Sequence, residues 1–156
     1  MAVVVSVARL LDQRRVDYRV VTHLHSDTSS ETAEAAHVSG DRIAKGVLLK
    51  DASGYCLAVI PATHELKLEV LNDRAERRLH LAEEDELSAV FPDCEAGAVP
   101  ALGRAYGIET FVDEQLLDVP EVYFEAGEHS ELVCVSTRAF ERLMDGAVYS
   151  TFSSHR

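Results

Sequence analysis

The stretch that decides the fold is Arg42–Lys50, RIAKGVLLK, followed after Asp51-Ala-Ser-Gly54 by Tyr55–Ile60, YCLAVI. Each is a short apolar run rich in β-formers, and the link between them has turn composition, so the pair is predicted to form a β-hairpin. Side chains on a strand alternate faces. Ile43, Lys45, Val47 and Leu49 therefore share one face. A lysine among three branched aliphatics is unusual, because lysines are rarely buried without a partner. Lys45 is the first candidate functional residue.

Upstream of this hairpin, residues 3–15 are predicted to form a helix. Val4, Val7, Ala8 and Leu11 fall at helical spacing, and Arg14 and Arg15 suit the negative end of its dipole. Tyr18–Thr22 reads as a short strand. His23 and His25 follow, and with no further ligand cluster nearby they read as a loop pair. Thr28-Ser-Ser-Glu31 has the form of a capping box, opening an alanine-rich helix that Gly40 closes.

Downstream, Pro61 ends the second strand. Thr63 is predicted to cap a helix with Leu66, Val70 and Leu71 inward. Arg74, Arg77, Arg78 and His80 are the most basic local patch, expected to be a solvated helix end. Leu79 and Leu81 suggest a short strand. Glu83–Glu86 opens a helix that buries Leu87, Val90 and Phe91. Ile108–Val112 and Glu121–Glu125 read as strands, with the Leu-Leu-Asp run at 116–118 as a turn. Ala126-Gly127-Glu128 turns the chain into Leu132–Val135, a second hairpin. Ser136 caps a last helix with Phe140, Leu143 and Met144 inward, and Gly146 stops it. The tail 147–156 is expected to fray.

The bulk properties narrow the function classes. A chain of 156 residues suits one compact domain, taken here as 1–156. No apolar run approaches the roughly 20 residues of a membrane span. The N-terminal MAVVVSVARLL carries Arg9 and has no cationic leader, so it reads as an opening helix rather than a signal peptide. Cys56, Cys94 and Cys134 are scattered and form no CxxC pair, which suits a reducing cytoplasm and disfavours a zinc site of ordinary spacing. A net charge of −12 argues against a broad grip on nucleic acid, though a local basic pocket can still dock one nucleotide end.

The expected fold class is α/β in the loose sense, with a mixed sheet and peripheral helices. A doubly wound nucleotide fold is disfavoured because no glycine-rich turn follows an early strand. GxSxG, P-loop and HExxH motifs are all absent. Beyond Lys45, two features can hold chemistry. The loop Phe91–Gly103, FPDCEAGAVPALG, is built of turn formers that can present backbone N–H groups to a ligand. His129 sits at the start of the last hairpin strand, on the face of Glu131, Val133 and Val135.

RIAKGVLLK followed by GYCLAVIPATHELKL resembles the YbaK/EbsC family, related to the editing (insertion) domain of prolyl-tRNA synthetase. TAEAAHVSGD, FPDCEAGAVPALG and EVYFEAGEHSELVCVSTRAFERLM continue the resemblance over about residues 5–145. It implies a largely antiparallel, curved and partly barrel-like mixed sheet flanked by helices. It also implies a trans-editing aminoacyl-tRNA deacylase, an ester hydrolase acting on mischarged tRNA, typically tRNA for proline carrying a wrong small amino acid. The signature lysine falls on Lys45, the substrate loop on Gly97, Ala98, Val99, Pro100 and Ala101, and a substrate-contacting histidine on His129. An activated ester needs positioning and charge stabilisation more than a strong nucleophile. No cofactor or metal is implied. The implied partners are the acceptor end of an aminoacyl-tRNA and a synthetase, with no membrane and no DNA, and the implied location is cytoplasmic. Two departures stand out: Gly46 replaces a frequent hydroxyl residue after the lysine, and the loop ends at Ala101 with Pro100 one residue early. The alternative is a non-catalytic small-ligand or protein-binding module retaining the same fold.

Overall fold

The computed structural model describes residues 4–23, 33, 36, 38–95 and 98–156. The predicted hairpin is its centre. β2 (Ile43–Asp51) pairs antiparallel with β3 (Gly54–Pro61) from Ala44↔Pro61 to Asp51↔Gly54. Gly54 closes the turn at φ +125°, a backbone conformation open to glycine and strained for other residues.

Around this hairpin lies one mixed sheet in the order β1-β8-β7-β2-β3-β6-β9. β1 is Arg19–Thr22, β6 Glu109–Asp113, β7 Glu121–Glu125, β8 Glu131–Ser136 and β9 Val148–Ser150. The predicted second hairpin is β7–β8, antiparallel, and β1 adds to its outer edge antiparallel. The contacts β2–β7, β3–β6 and β6–β9 are parallel. β5 (His80–Leu81) pairs with the far end of β2, and β4 (His64–Leu66) pairs with β10 (Ser153–His155) as a small separate sheet.

Helices cover both faces. α1 (Val5–Gln13) and α4 (Thr137–Leu143) send Val7, Leu10, Leu11, Phe140 and Leu143 onto Ala44, Leu48, Leu57, Val59, Phe124 and Val133. α2 (Leu68–Ala75) covers the other face, where Leu71 meets Leu49, Ala58, Ile60, Phe111 and Phe152. A third cluster on that face joins Ile43, Ala62, Tyr123, Leu132 and Cys134. Burying each large apolar side chain contributes about 1.5–3 kcal/mol, so these clusters dominate the stability. α3 (Glu84–Val90) starts with a reciprocal cap between Glu83 and Glu86. Lys50 and Tyr55 also bond Glu86 and, led by Lys50, hold its carboxyl down at about 2. Ser136 caps α4 by accepting from the Ala139 amide at 3.1 Å.

The structure differs from the sequence reading at four places. Thr63 does not cap a helix: its hydroxyl donates to Asp41, and His64–Leu66 is a strand that precedes α2. Val70 is exposed rather than inward. In the basic patch, Arg77 is no free helix end, because it forks onto Asp51 at 2.6 and 3.0 Å and reaches Glu109 at 2.9 Å. The tail does not fray: β9 and β10 form, and Phe152 between them is 1% exposed. The Thr28–Glu31 cap lies outside the described residues, while Ala33 and Ala36 beyond it are helical.

Candidate functional site

β2 changes neighbours along its length. β7 runs beside it only at Ile43 and Ala44, and β5 only at Leu49 and Lys50. Among the described residues, Lys45, Gly46 and Val47 therefore have no strand on that side. The sheet opens where β7 departs, and Lys45 is the first residue at the opening. Its face is split as well. Ile43 belongs to one apolar cluster, while Val47 and Leu49 belong to the other, and Lys45 falls between them.

The Lys45 side chain is half-buried there. Among the described residues it makes no hydrogen bond and no ion pair. Burial, and then the charge of Arg156, push its ammonium below the ordinary lysine range. Arg156 is held at the rim by its guanidinium, which donates to the Ala62 carbonyl at 2.9 Å. His64, 3% exposed, also feels the Lys45 charge. Burial and the nearby His155 hold the His64 imidazole below its usual range. A cation kept without a carboxylate partner destabilises the folded chain, which marks it as a functional candidate.

Gly46 leaves room for a different reason. A Cβ there would lie 2.9 Å from a terminal methyl of Leu57, on the opposite face of the hairpin. The missing hydroxyl at this position thus goes with close packing of Leu57 beneath the strand.

The substrate-loop residues and His129 are brought together at the β7–β8 turn, which begins two residues after Phe124, the partner of Ala44 on β2. The Glu95 amide donates to Gly127 O at 2.7 Å, and the Glu95 carboxylate accepts from the His129 amide at 2.9 Å. Glu95 thereby ties the loop to the β7–β8 turn, where Gly127 has φ +99°. Ala98, Pro100 and Ala101 are buried and Val99 half-buried, and Ala101 and Val99 pack in the cluster beneath α1. The Ala98 amide donates to Glu95 O at 3.1 Å. Gly97 lies outside the described residues, as does His25; His23 is buried and donates its amide to Ser130 O. The structure thus joins His129 to the loop through Glu95, and it sets Lys45 beside His64 and Arg156.

Burial holds the thiols in their protonated form. Burial raises Cys56 to about 11 and Cys94 to about 12, and it raises Cys134 as well. All three cysteines are free and protonated at neutral pH.

Sequence reasoning missed Glu95, His64 and Arg156. Glu95 gave no signal beyond its place in a loop. His64 comes to Lys45 just past the end of β3, whose Ile60 pairs with Lys45, and Arg156 comes through the β4–β10 pairing, which joins segments nearly ninety residues apart.

Comparison with known proteins agrees with this architecture. A search of the curated proteins finds no match. Among solved structures, the hypothetical protein APE2540 is 26% identical with a TM-score of 0.82, the match covering 96% of this chain and 99% of that one. A candidate trans-editing enzyme for prolyl-tRNA synthetase is 22% identical with a TM-score of 0.81, covering 96% and 95%. A candidate signal-transduction protein from Marinobacter aquaeolei VT8 is 24% identical with a TM-score of 0.78; the match covers 96% of this chain but only 30% of that longer one. Residues 23–143, well over half of the sequence, match the aminoacyl-tRNA editing domain. The chain belongs to the family of aminoacyl-tRNA editing domains.

Proposed function

We propose that this protein is a trans-editing deacylase that hydrolyses the ester of a mischarged tRNA, with tRNA for proline carrying a small wrong amino acid as the preferred substrate. The observation that carries the reading is the half-buried Lys45, whose side chain has no hydrogen bond or ion pair among the described residues, at the break in the sheet inside the matched editing domain. In this reading Lys45 stabilises negative charge on the acceptor end. The loop Gly97–Ala101 lines the amino-acid side and offers amides to the developing oxyanion, and His129 orients the amino acid. Water attacks the ester carbonyl, the ester C–O bond breaks, and the ribose oxygen leaves with a proton. No protein nucleophile is required, in keeping with three protonated thiols. No described helix is long and apolar enough to cross a membrane.

The test is deacylation of a panel of mischarged tRNAs by wild type and Lys45→Ala. Loss of one well-placed charge-stabilising donor lowers kcat by roughly 10²–10³-fold. Wild type and variant releasing amino acid at the same background rate on every substrate overturns the reading. The net charge of −12 favours a second reading, a non-catalytic small-ligand or protein-binding module with the same fold. It predicts no turnover on any substrate, with ligand binding retained.

A further inference from the structure

We infer that Asp41, His64 and His155 form a binding site for one divalent transition-metal ion of the zinc class. One carboxylate oxygen of Asp41 and one ring nitrogen from each histidine lie within 4.8 Å of one another. The three come from separate parts of the chain, the turn before β2, β4 and β10, and the β4–β10 pairing sets His64 opposite His155.

The buried histidine is oriented for this role. Asp113 is fully buried and accepts the Ser153 hydroxyl at 2.7 Å. With its one proton committed to Asp113, the Ser153 oxygen accepts from His64 Nδ1–H at 2.9 Å. The His64 proton is thereby fixed on Nδ1, and Nε2 keeps a lone pair. A relay from carboxylate to imidazole N–H is the outer-shell arrangement that orients metal-ligating histidines. Asp113 is itself anchored by the Gln115 and Phe152 amides.

The other two ligands are exposed and adjustable. His155 Nε2 lies 2.8 Å from Asp41 Oδ1, a hydrogen bond that holds them side by side. Binding would replace that contact: His155 gives up its Nε2 proton, and both atoms turn onto the ion. Zinc takes nitrogen and oxygen donors at about 2.0–2.2 Å, so modest rotation of two exposed side chains closes the set. Three protein ligands leave a fourth position for water. The proposal goes beyond the sequence reading, which implied no metal, and it does not depend on the deacylase reading.

The experiment is titration of the chelator-treated full chain with Zn²⁺ by calorimetry, and with Co²⁺ by visible absorption. The expected result is one equivalent bound, with cobalt d–d bands lacking any thiolate charge-transfer band. Asp41→Asn and His155→Ala should each weaken binding at least tenfold, while metal-free melting stays at the wild-type value. Ser153→Ala, which frees the His64 ring, should weaken it by about 10–100-fold. Absence of saturable binding overturns the proposal. So does binding that survives the Asp41→Asn/His155→Ala double variant, or a spectrum showing cysteine ligation.

Discussion

Replacing Phe152 with alanine is expected to cost the fold several kcal/mol. Phe152 is 1% exposed and packs with Leu71, Phe111 and Ile60 beneath α2. A buried phenylalanine removes about 150–250 Å² from water, and at about 25 cal/mol per Å² its burial contributes about 4–6 kcal/mol. Alanine retains part of that burial, and measured Phe→Ala losses in cores are about 3–5 kcal/mol. The backbone bonds of residue 152 to Asp113 and from Lys67 do not involve the ring, so the loss reports ring packing alone. In a domain of this size each kcal/mol moves Tm by about 2–4 °C, giving a fall of about 6–20 °C. Calorimetric melting and urea unfolding with an unchanged m-value are the assays. A loss under about 1 kcal/mol would mean that the last ten residues do not dock, contradicting both β10 and the Asp113–Ser153–His64 relay.

Three further outcomes follow from other contacts. Lys45→Met should leave the protein more stable than wild type at neutral pH while abolishing deacylation. The folded state holds this ammonium below its unfolded value of 10.5, so the unfolded chain binds more protons between the two values. Wild-type stability therefore rises through that window, and the gap to the variant, fully present below the folded value, closes as pH approaches 10.5; melting curves at stepped pH check it. Gly103→Ala would place a Cβ 2.1 Å from the Thr110 hydroxyl and 2.9 Å from the Ile108 carbonyl, which should destabilise by about 1–3 kcal/mol in urea unfolding. Glu95→Ala removes the carboxylate that holds the His129 amide, and should lower kcat/KM for deacylation about five- to tenfold, the loss expected from about 1 kcal/mol of hydrogen bonding, with Tm little changed.

What could be read from the sequence was whatever repeats at short range. Alternation through Arg42–Lys50 and Tyr55–Ile60 reveals the central hairpin and places Lys45 on the Ile43–Leu49 face, because a period of two is written in adjacent residues. Glu121–Val135 reads as a hairpin for the same reason. Ser136 is legible because its hydroxyl acts on a residue three positions away. Thr63 misleads: a hydroxyl before an apolar run matches a helix cap, but this one bonds Asp41, 22 residues earlier. Val148–His155 looks like a tail because strands of three residues carry too little periodicity to detect, and their partners are β6 and β4. The same distance hides the gathering of Asp41, His64 and His155, whose spacing in the chain fits no ligand motif. Lys45 could be singled out by its misplaced polarity, whereas its neighbours could be known only from topology.

The change of partners along β2 has a mechanical consequence. Among the described residues, the strand from Lys45 to Val47 is laced to β3 alone, and on its other flank alternate peptide groups point into the gap. The uninterrupted ladder to β3, from Ala44 to Asp51, holds this stretch in register, so its open peptide groups stand as a firm edge on which another molecule can form hydrogen bonds.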